Sequence, residues 1–376
     1  MALTHRPMNA MNAYGDDDYE TLTFTMKEYS YSVHEPARAN AHSDCVLLPD
    51  GRVVFVPHDR APIGIYNPIT NECSTIAGAP GRMAYCGGVL LPDGRIVFVP
   101  WNATTIGIFN PTTHAYTAIA GAPGNGAYDG GVLIPDGRVV FVPSRGQTIG
   151  IFNPIINEYS TIAGPPVDFA YCGGVALPDG RVVFIPFYAR TFGIFNPATN
   201  EYSTIAGLPG NGAYRGGVLL PDGRIVFVPW NARMIGIFNT TTNKYSTIAR
   251  APGNDAYSGG VLLHDGRVVF VPANATTIGI FNPITNKYST IAGAQAPGND
   301  AYHGGVQLPD GRIIFAPSVS CTIGILTMSD DKARCRTHLR TASIKEELMA
   351  ATWHPSRVVQ WCLDDIERKE LLDMGL

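Results

Sequence analysis

Along most of the chain, short apolar runs alternate with fixed polar punctuation. Gly87-Gly88-Val89-Leu90-Leu91 is followed by Pro92-Asp93-Gly94, then by Arg95-Ile96-Val97-Phe98-Val99-Pro100. The same order returns with its Asp-Gly pair at Asp50, Asp93, Asp136, Asp179, Asp222, Asp265 and Asp310. The step is 43 residues five times and then 45, the last lengthened by Ala294-Gln295. A fixed period of this length marks a repeat architecture, whose units bury their apolar faces against one another.

One unit predicts four short strands. Gly-Gly-Val-Leu-Leu runs into a Pro-Asp-Gly turn, in which Pro sets φ, Asp caps locally and Gly takes the positive φ. The β-branched and aromatic run from Arg95 to Val99 has no polar alternation, as expected of a strand covered on both faces. Ile106-Gly107-Ile108-Phe109 follows a variable loop and stops at Asn110-Pro111. A last strand over residues 115–120 ends at Gly121-Ala122-Pro123-Gly124. Four antiparallel strands in about 43 residues is the size of a propeller blade.

Seven copies predict an all-β, seven-bladed propeller over residues 21–328. The seventh copy lacks a fourth strand, since it breaks at Ser329-Asp330-Asp331-Lys332. Residues 21–32 are alternating and β-prone, and their Lys27-Glu28-Tyr29-Ser30 matches Asn157-Glu158-Tyr159-Ser160 of a complete unit. We therefore expect this N-terminal segment to complete the last blade and close the ring, which removes exposed sheet edges.

The units resemble kelch-like repeats. Phe or Tyr precedes Asn-Pro at Tyr66, Phe109, Phe152, Phe195 and Phe281. A Tyr at 159, 202, 245 and 288 stands where kelch units carry Trp. Val-Pro replaces the kelch Gly-Gly at the end of the second strand. The resemblance implies the propeller fold, and for function only the range of its members: scaffolds, substrate adaptors and a few oxidases.

Outside the repeats, residues 1–20 are polar and irregular, and 329–342 read as a charged linker. Residues 343–376 predict a helical tail, opened by the capping box Ser343-Ile344-Lys345-Glu346. Its Ala351-Thr352-Trp353-His354-Pro355-Ser356-Arg357-Val358 and Trp361-Cys362-Leu363-Asp364 resemble a short C-terminal segment of giant DNA virus proteins. That resemblance implies a viral setting, in host cytoplasm or virion, and offers Trp353, His354 and Trp361 as tail contacts.

Composition narrows the functional classes. A net charge of −4 argues against a general polyanion binder. The seven Arg that follow Asp-Gly would form a cationic ring, but each has an Asp beside it. We read each as bonding turn carbonyls or the nearby Asn of its own blade, and no nucleic-acid partner is expected. Seven cysteines without a CxxC pair fit reduced thiols in a cytosol-like compartment. Residues 1–20 have no apolar stretch of signal-peptide type, and no apolar run is long enough to span a bilayer.

In a four-stranded blade the Asp-Gly-Arg and Asn-Pro turns share one face of the disc. They are nearly invariant between copies, as structural turns require. The opposite face carries the second-to-third loops and the residues before Gly-Gly, and there the copies diverge. Trp101, Arg145, Phe187, Tyr188, Arg190, Arg215, Trp230, Arg233 and His303 form the candidate binding set, because aromatics and Arg dominate interface energetics. Cys86, Asp129, Cys172 and His303 occupy equivalent positions and are metal-capable, but His303 would have to reach across the channel. No metal, cofactor or catalytic set is assigned: no nucleophile elbow, Walker loop or HExxH helix is present. The sequence thus points to a non-enzymatic scaffold with protein partners and leaves the oligomeric state open. A multivalent carbohydrate binder using the repeated Asn and Tyr is the alternative, and an enzyme with its site at the channel mouth is a third reading.

Overall fold

The computed structural model describes residues 24–30 and 41–328, apart from 78–80, 208–209 and 321. The linker and helical tail, with Trp353, His354 and Trp361, lie outside the described residues, as does the polar N-terminal segment. Within the described residues, 28 strands form seven four-stranded antiparallel sheets. Blade three shows the plan: Tyr128–Leu133 innermost, then Val139–Pro143, Thr148–Asn153 and, outermost, Glu158–Ala163. First strands of neighbouring blades lie side by side around the axis, and the first also neighbours the seventh.

The second strands are buried end to end, as their unbroken apolar runs predict. The outer strands alternate between exposed and half-buried positions because only one of their faces meets a neighbour. The cores therefore sit between blades. Val97, Val99, Ile106 and Ile108 of blade two pack on Tyr128, Val139, Phe141 and Phe152 of blade three. Equivalent clusters join every successive pair, and the one holding Cys45, Val53, Phe55 and Tyr66 with Leu308, Ile314 and Ile325 joins blade one to blade seven.

Closure occurs as expected, with a different register. Phe24–Ser30 pairs antiparallel with Thr322–Met328 and supplies the fourth strand of the sheet built on Tyr302–Gln307 and Ile313–Pro317. The sequence match equated Tyr29 with Tyr159. Tyr159 lies opposite Phe152, whose counterpart Leu326 lies opposite Met26, whereas Tyr29 lies opposite Ile323. The pairing is set by the ladder's position along the sheet, and the Glu-Tyr-Ser similarity is offset from it by three residues.

Two glycines of the repeat are explained by what lies against them. Gly130 adopts φ +92°, and a Cβ there would lie 3.0 Å from the Cα of Gly173 in the next blade. The first Gly of Gly-Gly thus admits close approach of neighbouring blades at the axis. Gly150 is the Gly of the third-strand Ile-Gly-Ile, and a Cβ on it would come within 2.9 Å of the Tyr128 ring. The ring crosses from the inner strand over this gap, and its hydroxyl meets that of Tyr159 at 2.5 Å. Blades two to six repeat the tyrosine pair. Blade one has His42 and Cys73 in those places.

Candidate binding face and channel mouth

On the uniform face the charged side chains bond within the fold. Asp136 accepts the Arg138 amide at 3.0 Å and its guanidinium at 2.7 Å. All seven Asp-Gly-Arg turns make this ion pair, at 2.5 to 2.7 Å. In five blades the same guanidinium also donates to the Pro carbonyl of the next blade's Asn-Pro turn, as Arg312 does to Pro68 across the ring's seam. The neighbour is therefore the next blade, where the sequence reading looked for an acceptor within the same one. Blade five has Thr240 in place of that Pro, and the Thr240 hydroxyl donates to the Gly223 carbonyl. Burial works against ionisation of Asp93, Asp136 and Asp179, but their Arg partners outweigh it and hold these carboxyls below the usual range. The Asn side chains cap their own turns: Asn110 Oδ1 accepts the amides of Thr112 and Thr113.

On the varied face the loop backbones are pinned while the side chains differ. The amide of Trp101 donates to the Ala84 carbonyl, and the Trp101 carbonyl accepts from Ala127 of the next blade. His58, Ser144, Phe187, Trp230, Ala273 and Ser318 repeat the first of these bonds in their own blades. The frame thus fixes seven positions around the channel without fixing what stands there.

Several predicted residues come together through one that was missed. Trp101 lies 6.2 Å, ring to ring, from Phe169, and Phe169 meets the edge of Tyr188 at 6.2 Å. Tyr188 packs on Phe187 at 4.8 Å, and the Arg145 guanidinium sits 4.9 Å over the Phe169 ring. The arc crosses blades two, three and four, with Tyr188 half exposed at its rim. Phe169 occupies the turn residue before the inner strand, which takes positive φ in every described connection. Gly126, Gly212, Asp255 and Asp300 suit that conformation; Phe169, at φ +52°, and Met83, at +50°, do not. An aromatic residue where four of the other copies have Gly or Asp was the signal available in the sequence. Arg190 and Arg233 are exposed beside the arc and beside Trp230 respectively, their stems against Gly210 and Gly253.

The channel mouth gathers the residues that precede Gly-Gly. In blades two to seven the inner strand carries a bulge between its Tyr and its second Gly, as between Tyr128 and Gly131, where one extra residue faces the second strand, and blade one carries it between His42 and Cys45. Bulges re-aim side chains, and here they turn the varied residue toward the axis. The Cys86 thiol donates to Asp129 Oδ1 at 3.0 Å. Burial, then the Asp129 charge, pushes the Cys86 and Cys172 thiols well above their usual range, so both are neutral and weak nucleophiles. The Arg215 guanidinium lies 4.7 Å over the Trp230 ring. His303 does not reach across to the cysteines; its Nε2 bonds Asp300 of its own blade at 2.8 Å. Burial, then Arg215, lowers the His303 pKa, and Asp300 partly restores it. Among the described residues no group of three or more His, Cys, Asp or Glu is arranged to hold a metal.

No protein-family model and no curated protein matches the chain. Solved structures do share its fold. A streptogramin B lyase superposes with a TM-score of 0.69 at 20% identity, covering 81% of this chain and 98% of its own. Virginiamycin B lyase from Staphylococcus aureus gives 0.68 at 18%, with 81% and 99% covered. The WD40 repeats of RRP9 give 0.61 at 11%, with 80% and 100% covered. At these identities the likeness is one of fold, and it spans both enzymes and WD40 propellers: the chain is a seven-bladed β-propeller, and its chemistry has to be read from its own residues.

Proposed function

We propose that this propeller is a non-enzymatic recognition module that binds a protein partner through its varied face. One observation carries the reading. Trp101, Phe169, Tyr188 and Phe187 form a continuous aromatic arc with Arg145 on loops whose backbones are pinned. Rigid aromatics and Arg are the residues on which interface affinity concentrates. Backbone strain at Phe169 supports it, because such strain persists where a side chain is kept for another purpose. The kelch-like resemblance fits a scaffold, and the tail resemblance would set it in a giant virus.

The alternatives fare unequally. The repeated Asn and Tyr offered for carbohydrate binding are engaged inside the blades, in turn caps and hydroxyl pairs. An enzyme at the channel mouth has the Arg215, Asp129 and His303 cluster in its favour, and lyases share the fold. The neutral thiols give that reading no nucleophile. Affinity capture with the wild type and with Trp101→Ala/Tyr188→Ala tests the proposal. Partners retained by the wild type should be lost from the variant; an unchanged set of partners contradicts it.

A further inference from the structure

The channel mouth carries charged groups that the fold does not call for. Its seven equivalent positions are filled by Ser43, Cys86, Asp129, Cys172, Arg215, Ser258 and His303, so the frame accepts almost any residue there. What stands out is Arg215. Each of the seven Arg on the opposite face has its Asp within 2.7 Å. Among the described residues no carboxylate oxygen comes within the 4.0 Å of an ion pair with Arg215. It is stacked instead on the Trp230 ring, 4.7 Å from its centroid.

Two carboxylates are nevertheless within electrostatic reach of that guanidinium, Asp129 and Asp300. Asp129 accepts the Cys86 thiol on one oxygen, and Asp300 accepts His303 on one oxygen. Burial works to raise the Asp300 pKa, but the His303 bond and charge pull it below the usual range, so it is ionised near neutral pH. The mouth therefore holds a planar cation, stacked on Trp230 and lacking a bidentate partner, with the ionised Asp300 standing off from it. A guanidinium in this state is suited to a carboxylate, which it bonds through two parallel N–H donors. A ligand with a carboxylate alone would also meet the field of Asp129 and Asp300. A ligand that brings an ammonium beside its carboxylate satisfies both signs.

We propose that the channel mouth binds a small zwitterion of the α-amino-acid type, its carboxylate on Arg215 and its ammonium toward Asp129 and Asp300. The residues before Gly-Gly stand on the inner strands around the axis, whereas the aromatic arc lies outside them on the loops. The proposal is independent of the partner-binding reading: variants at Trp101 and Tyr188 test that one, and variants at the mouth test this one.

Isothermal titration of the full chain with the free proteinogenic α-amino acids is the experiment, with the C-amide and N-acetyl derivatives of any binder as controls. At least one free amino acid should bind. Capping either charged end should weaken it by about tenfold or more, the equivalent of one charge-assisted hydrogen bond. Arg215→Met should abolish the signal and Asp129→Asn should weaken it, with the propeller's circular dichroism unchanged. No heat from any free amino acid overturns the proposal. So does a carboxylate-only analogue that binds as tightly as the zwitterion, or an Arg215→Met chain that binds like the wild type. The capped-ligand comparison uses only the wild-type chain, so it decides the matter even if a variant fails to fold.

Discussion

The two faces of the disc are built from the same seven repeats and differ in what their polar side chains touch. On the uniform face Asp136 bonds Arg138, Arg138 bonds Pro197 of the next blade, and Asn153 caps its own turn. On the varied face Arg145 lies over an aromatic ring and Arg215 over another, with no carboxylate in ion-pair contact with either among the described residues. Arg138 is thus a latch between blades on one side, whereas Arg145 and Arg215 are uncommitted donors on the other. The difference teaches that repetition in this chain records the frame, and that the chemistry lies where repetition fails.

The sharpest way to break this comparison is at the axis, where frame and channel meet. Gly130→Val would place its side chain against Gly173 at a φ of +92°. It should destabilise the fold by on the order of 3 kcal/mol, from overpacking and backbone strain together. Arg145→Ala, on the varied face, should change stability by about 0.5 kcal/mol or less. Denaturant unfolding of the two variants measures both.

The seam offers a pH test. Blade one has Asp44 where the other blades have the axial Gly. Burial pushes its carboxyl from 3.8 up to about 6, against the Cys45 and Gly88 amides that stabilise the charge. A carboxyl raised in the folded state favours folding most when protonated. Its contribution is full below pH 3.8 and is lost as pH rises through about 6. Asp44→Asn should therefore raise the melting temperature at pH 7 and change it little at pH 3.5 to 4. The difference between the two chains isolates Asp44 from the nearby His42, which titrates over the same range with the opposite sign.

A smaller effect is expected within a blade. Tyr128→Phe leaves the Tyr159 hydroxyl without the partner it meets at 2.5 Å. The loss should be about 1 to 2 kcal/mol, read as a lower denaturation midpoint with no change in partner binding.

Much of the fold is legible in the sequence because each repeated residue has one local job. The Asp-Gly-Arg turn, the buried Val-Val-Phe-Val run and the close approach of Gly-Gly all follow from spacing and residue type. The tyrosine pair does not, since Tyr128 and Tyr159 are joined only by the crossing over Gly150, which no linear pattern displays. The register of the closing strand was hidden for a similar reason: a short similarity around Tyr29 says nothing about where the ladder begins. At the candidate site, divergence between copies pointed to Trp101, Phe187, Tyr188 and Arg145, and the structure joins them. Phe169 escaped because the comparison between copies took in the second-to-third loops and the residues before Gly-Gly, and it lies in neither; His303 was placed among potential metal ligands although Asp300 lies three residues before it. The latch from Arg138 to Pro197 was missed because its partners are 59 residues apart in sequence.

The central claim is that the varied face is kept for binding and the repeated residues for the frame. Side-by-side affinity capture with Phe169→Gly and Tyr128→Phe tests it most directly. Phe169→Gly relieves positive φ and should be at least as stable as the wild type, yet lose the partner. Tyr128→Phe should be less stable and retain it. A Phe169→Gly chain that captures the partner as the wild type does, beside a Tyr128→Phe chain that is folded and does not, would contradict the account.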